Sequence, residues 1–215
     1  MSSVPDRKFL PAAGLDLFLP LYDPLTRLMG FDRPRRALLE QAALAPGFRV
    51  LDVGCGTGTL AILATKLHPA VEIVGLDPDP KALARARRKA ERAGVSLQLD
   101  QGFAGSLAYR DASFDRVLSS MMFHHLEVEE KDGMLREIAR VLKPGGRLEL
   151  LDFAGRSPDE RSGLARLIHS NERLRDSVAE RVLERMAAAG LKNARLVRHE
   201  RVLFTRLAYY QAASG

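Results

Sequence analysis

Cysteine is nearly missing from this chain and tryptophan is missing altogether; Cys55 stands alone. A single cysteine excludes an intrachain disulfide, and with it the small secreted folds that disulfides staple, so a reducing, cytoplasmic location is expected. No apolar run approaches the roughly 20 residues that cross a bilayer. The start, Met1-Ser2-Ser3-Val4-Pro5-Asp6-Arg7-Lys8, lacks the apolar core of a secretory signal. His68, His169 and His199 sit in different contexts and form no ligand-spaced cluster, so no metal site is expected. Aromatic residues make up only 6% of the chain, which leaves no evident stacking platform for single strands of nucleic acid.

What is present is an ordinary globular composition. A length of 215 residues with 46% hydrophobic content suits one α/β domain with some decoration. The formal charge of +6, rich in arginine, invites a polyanionic partner, yet the basic residues are interleaved with acids. The densest group, Lys81, Arg85, Arg87, Arg88, Lys89 and Arg92, falls on a predicted helix and reads as its solvated face. Nucleic acid is therefore not an expected partner.

Residues Leu15–Met29 are apolar but broken by Pro20 and Pro24, so one or two short helices are expected there. They are read, over residues 1–32, as a helical cover at the mouth of the domain. Asp32 can cap a helix with Pro34 in its first turn, running to Leu44 and ended by Pro46-Gly47. Strands are expected at Arg49–Val53, Val71–Leu76, Val95–Leu99, Phe114–Ser119 and Arg147–Asp152. Between them lie a helix from Thr59, one capped by Asp79 with Pro80 at its start and Gly94 at its end, and one over Glu129–Leu142 stopped by Lys143-Pro144-Gly145-Gly146. The alternation predicts a parallel sheet with helices on both faces. Phe153–Arg175 is polar, with a helix start at Ser157-Pro158, and a clear helix follows at Ser177–Ala189. Two late strands, Ala194–Val197 and Val202–Tyr209, are separated by His199-Glu200-Arg201, which suits an antiparallel hairpin.

The most informative stretch is Val50-Leu51-Asp52-Val53-Gly54-Cys55-Gly56-Thr57-Gly58. An apolar strand runs through an acid into a Gly-x-Gly-x-Gly turn, and a helix follows at once. Asp77 closes the next strand, where an acid can accept hydrogen bonds from a ribose diol. A dinucleotide site spaces its glycines differently and seats a pyrophosphate on the helix N-terminus. Here Asp52 stands just before the turn, and a carboxylate there repels pyrophosphate but suits an amino group. The ligand looks like a nucleoside joined to an amino acid, which is the layout of S-adenosyl-L-methionine.

With these segments in order, the chain resembles the class I S-adenosylmethionine-dependent methyltransferases over roughly residues 20–152. Val50–Gly58 is similar to the family's first motif and Ile73-Val74-Gly75-Leu76-Asp77 to its second. Ser113–Ser120 is similar to its fourth-strand motif, and Leu135–Gly146 to the helix and turn before strand five. The resemblance implies an α/β, Rossmann-like methyltransferase fold: a seven-stranded, mostly parallel sheet, helices on both faces and an antiparallel last strand, over residues 33–215. It also implies roles. Gly54 and Gly56 would line the methionine part of the cofactor and Asp52 would hold its ammonium. Asp77 would take the ribose hydroxyls, Pro78 would pack on the adenine face, and Gly102, Phe103 and Ala104 would border the adenine edge. Cys55 and Ser119 are counted with these cofactor-contacting positions, Cys55 as a small packing residue and not a nucleophile. Many relatives place an acid where Phe103 stands; Phe103 cannot accept that hydrogen bond but can pack on the ring, or Asp100 can reach in. The start and middle, with Tyr22-Asp23 and Arg33-Pro34-Arg35-Arg36, most resemble the menaquinone/ubiquinone C-methyltransferase-like branch.

Methyl transfer from a sulfonium needs chiefly positioning in a dry pocket, and a base only where the acceptor must lose a proton. His124 and His125, just past strand four, are the candidate bases, each with a structural alternative as a turn-capping residue. Tyr22 is the other catalytic candidate, able to close over the sulfonium. Met121, Met122 and Phe123 favour an apolar or aromatic acceptor. The expected activity is methyl transfer to a small-molecule or lipid-like acceptor, with a homodimer as a possible assembly. The alternative is a repurposed or non-catalytic relative that binds S-adenosylmethionine without methylating.

Overall fold

The computed structural model describes residues 30–154, 179–203 and 205–215. The expected cover over residues 1–32, Tyr22, His169 and the helix start at Ser157-Pro158 lie wholly or almost wholly outside the described residues.

A seven-stranded sheet runs in the order β3-β2-β1-β4-β5-β7-β6. Its strands are β1 (Arg49–Val53), β2 (Glu72–Asp77), β3 (Gln98–Gln101), β4 (Phe114–Ser120), β5 (Leu142–Phe153), β6 (Lys192–Val202) and β7 (Thr205–Ala213). β1, β2, β3, β4 and β5 pair in parallel, whereas β7 runs antiparallel to both β5 and β6. This is the expected sheet with its reversed last strand.

The side-chain alternation of β1 shows how the sheet is buried. Leu51 and Val53 pack with α4 (Val128–Val141) and α5 (Ala179–Ala188) through Met134, Ile138, Val182 and Met186. Val50 faces the other layer, with Leu38 and Leu39 of α1 (Asp32–Ala42) and Leu60, Ala61 and Ala64 of α2 (Thr59–Leu67). Successive side chains of a strand point to opposite faces, so a strand covered on both sides needs an apolar residue at nearly every step. Asp52 breaks that run in β1, on the same face as Val50.

α3 (Pro80–Ala93) is built as its sequence predicts. Asp79 accepts a hydrogen bond from the Lys81 amide at 2.8 Å, Pro80 opens the first turn, and Gly94 closes the helix in the left-handed region. α1 differs from expectation at both ends. Asp32 lies inside its first turn, 3.4 Å from Arg35, and the helix stops at Ala42, with Ala43 left-handed at φ 46°. Two further boundaries moved. Lys143-Pro144-Gly145-Gly146 forms a bulge within β5, because Leu142 already pairs with Phe114 before Arg147 pairs with Arg116. The hairpin turns at Leu203, not at His199-Glu200-Arg201. Those three residues stay in β6, where the sheet edge leaves polar side chains partners or solvent: Glu200 accepts from the Tyr209 hydroxyl at 2.5 Å, and Arg198 lies over the Tyr209 ring.

Candidate active site

The carboxyl ends of β1, β2 and β4 open onto one cavity of about 1100 Å³. It lies where the chain order reverses beside β1, the place in an open α/β sheet where loops on either side diverge and leave a crevice.

The glycine turn forms its floor. Gly54, Gly56 and Gly58 all have positive φ, a conformation that side chains with a Cβ adopt at a cost. A Cβ at Gly54 would stand 2.3 Å from Met122 Cγ, whereas one at Gly56 would meet nothing within 4 Å. The first glycine thus admits Met122, and the second leaves open space at the cavity floor. β2 braces the turn. The Leu76 carbonyl accepts from the amides of Gly54 and Cys55 at 2.8 and 3.0 Å, and Asp77 Oδ2 accepts from the Gly56 amide at 2.8 Å. Lys89 adds a clamp from α3, donating to Thr59 Oγ1 at 2.7 Å and Thr57 Oγ1 at 3.2 Å.

The electrostatics of the floor are unbalanced. Asp52 is 2% exposed and its Oδ2 has no partner among the described residues. Burial, then the neighbouring Asp77, push its pKa up to about 7, opposed by Arg35 and a hydrogen bond from the Ala61 amide. Burial also raises Asp77, against the amide hydrogen bonds from Asp79 and Gly56. The Cys55 thiol is pushed well up by burial and by both acids, which makes it a poor nucleophile.

Of the residues expected at the cofactor, Asp52, Gly54, Cys55, Gly56, Asp77, Pro78, Gly102, Phe103 and Ala104 all line this cavity. Ser119 does not: its side chain is fully buried and its hydroxyl donates to the Val53 carbonyl at 3.2 Å, while its neighbour Ser120 lines the wall. Asp100 also stays away, held by the Tyr109 hydroxyl at 2.8 Å and by Gln98. Phe103 therefore faces the cavity without that acid beside it.

The two histidines separate. His125 lines the cavity. His124 turns inward from the same 3-10 turn, Phe123–His125, and Asp152 grips it twice: Oδ1 lies 2.5 Å from its Nδ1, and Oδ2 accepts its amide at 2.8 Å. The two imidazoles lie tilted at 41° to each other with centroids 4.0 Å apart, and the His124 ring meets Phe153 edge-on. His124 is thus a link between the turn and the end of β5, and His125 is the one presented to the cavity.

Sequence reasoning missed three contributors. Arg35, 7% exposed, reaches the cavity from α1; its only signal was a short basic run. Asp152 announced itself only as an acid closing a strand. The wall formed by Glu127, Glu129, Glu130, Gly133 and Arg136 comes from α4 and its cap. Together the residues fit a cationic amino-acid nucleoside. An unpartnered buried carboxylate suits an ammonium, Arg35 suits a carboxylate, Asp77 suits a diol, and the space at Gly56 admits the chain joining them.

Known proteins agree with this reading. A methyltransferase domain family matches residues 50–146. A demethylmenaquinone methyltransferase of Deinococcus radiodurans is 44% identical over 148 residues, covering 67% of this chain and 59% of that protein. Its counterpart in Thermus thermophilus is 40% identical over 137 residues, covering 62% and 61%. The chain thus spans about three fifths of the length of these curated relatives. A solved S-adenosylmethionine-dependent methyltransferase from Aquifex aeolicus superposes with a TM-score of 0.71 over 97% of this chain and all of that one, at 22% identity, a likeness of fold. Over residues 50–146 the chain thus matches the methyltransferase domain family, and its sheet resembles that of the class I S-adenosylmethionine-dependent methyltransferases.

Proposed function

We propose that this protein transfers the methyl group of S-adenosylmethionine to a small, lipid-like acceptor of the quinol type. The observation that carries the proposal is the unpartnered, buried Asp52 carboxylate beside the open glycine turn. Bound there, S-adenosylmethionine would supply an electrophilic methyl group whose leaving sulfur is already activated by positive charge.

The chain's own residues then bind, orient and dry the reactants. Asp52 would accept hydrogen bonds from the ammonium and Arg35 would donate to the carboxylate, fixing the amino-acid end. Asp77 accepts from the ribose hydroxyls, and Pro78 and Phe103 pack against the base. Met121 and Met122 close the wall beside the glycine turn with apolar surface. This excludes water and suits an apolar acceptor ring. Methylation at a ring carbon would leave that carbon with a proton to lose. His125, which lines the cavity, would receive it, and His124, anchored on Asp152, would keep the turn in place.

Support for the acceptor class comes from the demethylmenaquinone methyltransferases that the chain resembles. Incubation with methyl-labelled S-adenosylmethionine and a reduced demethylmenaquinone tests it. Label in the quinol, lost in Asp52→Ala, is the expected result. Tight S-adenosylhomocysteine binding with no label in any quinol would overturn the acceptor, and no binding at all would overturn the whole reading.

A further inference from the structure

Three buried polar atoms in residues lining the cavity have no hydrogen-bond partner among the described residues: Asp52 Oδ2, Ser120 Oγ and Asp79 Oδ2. The third takes no part in the proposed methyl transfer. Asp79 caps α3, but the cap uses one oxygen only, with Oδ1 accepting from the Lys81 amide at 2.8 Å. Serine caps a helix about as well as aspartate. The second oxygen therefore adds nothing to the cap, and burying it without a partner is unfavourable. Asp79 is only 4% exposed.

The side chain is also fixed in place. The Asp79 amide donates to Asp77 Oδ1 at 3.0 Å, so the two carboxylates share one rigid corner at the end of β2. Rotating the Asp79 carboxylate away would release the helix cap. Pro78 lies between the two acids in sequence, and Gly102–Ala104 lines the same cavity. Asp100 is engaged elsewhere, with Tyr109 and Gln98. Asp77 and Asp79 are then the carboxylates at the end of the cavity assigned to the nucleoside.

We propose that Asp79 is a specificity-determining residue whose Oδ2 accepts a hydrogen bond from the ribose 2′-hydroxyl or the N6 amino group of the bound nucleoside, so that Asp77 and Asp79 read it together. This rests on the S-adenosylmethionine reading above. The bond gives a partner to an acceptor that has none among the described residues, and it discriminates against nucleosides that lack the donor.

The test uses the full chain and calorimetric titration with S-adenosylhomocysteine, its 2′-deoxy analogue and its N6,N6-dimethyl analogue. Asp79→Ser keeps a capping oxygen and deletes Oδ2. The expected result is an unliganded melting temperature close to native and about tenfold weaker binding of S-adenosylhomocysteine. For one of the two analogues, variant and native protein should bind alike, which tells a ribose donor from a base donor. Native affinity in the variant overturns the proposal, as does an equal loss for all three ligands. If Asp79→Ser does not fold, Asp79→Asn keeps the cap and puts an N–H donor in place of Oδ2; native affinity there overturns the proposal equally. Native protein that binds no S-adenosylhomocysteine overturns the cofactor reading itself, an outcome distinct from failure at Asp79 alone.

Discussion

Asp52 sits in the cavity wall with one oxygen unpartnered and its pKa pushed up to about 7 by burial and by Asp77. Unfolded, the same group titrates near 4. Between those values the folded chain holds a proton that the unfolded chain has lost, so stability falls as pH rises through this window. Asp77 shifts in the same direction. An Asp52→Asn variant escapes that loss. It should exceed the native protein in unliganded stability by about 1–3 kcal/mol at pH 8 and match it near pH 4, read by thermal melting. The same variant should bind S-adenosylhomocysteine at least tenfold more weakly, since the ammonium loses its carboxylate. A native protein that gains stability over the variant as pH rises would contradict the argument. The histidines separate by position: His125 lines the cavity and His124 is tied to Asp152. His125→Asn should lower kcat by about a hundredfold and leave the KM for S-adenosylmethionine unchanged. His124→Asn should lower the melting temperature, because it weakens the tie to Asp152.

Gly54 and Met122 show how one element fixes another. The turn after β1 carries Gly54 at φ +73°, and the chain after β4 lays Met122 directly over it. A Gly54→Ala substitution would press its new methyl into Met122 and hold a side chain in the left-handed region. S-adenosylhomocysteine binding should fall at least tenfold, with about 1–3 kcal/mol lost in stability. Met122→Ala in the same chain should restore part of both, read by titration and melting; no recovery would mean that Gly54 acts through its backbone conformation alone. The elements themselves were largely legible. β1, β2 and β4 are covered on both faces and read as apolar runs, and Asp79, Pro80 and Gly94 mark the ends of α3 through local chemistry. The misplaced hairpin turn has a different origin. An edge strand tolerates polar residues, so His199-Glu200-Arg201 imitates a loop. At the site, the residues of the glycine turn and Asp77 were readable because they follow one another in the motif. Arg35 and Asp152 were not, because they arrive from α1 and β5, and only the folded sheet brings them to the cavity region.

The charge of the whole molecule runs against that of its cavity. The chain carries a formal +6, yet six carboxylates line the cavity, from Asp52, Asp77, Asp79, Glu127, Glu129 and Glu130, against the guanidinium groups of Arg35 and Arg136. A concave site of one sign focuses its field and raises the local concentration of the opposite charge. S-adenosylmethionine carries a sulfonium beside its zwitterionic end and is a net cation, whereas S-adenosylhomocysteine has lost that charge. The cavity should therefore favour the substrate form over the product, and salt should erase the preference by screening the exposed glutamates. Titration at pH 8, where Asp52 is mostly ionised, separates this effect from protonation. From about 0.02 M to about 0.5 M salt, the dissociation constant for S-adenosylmethionine should rise about three- to tenfold and that for S-adenosylhomocysteine much less. Glu129→Gln combined with Glu130→Gln should flatten the salt response of S-adenosylmethionine without changing the affinity for S-adenosylhomocysteine. Equal salt responses for the two ligands would mean that discrimination comes from contacts at the sulfur alone and not from the field of the cavity.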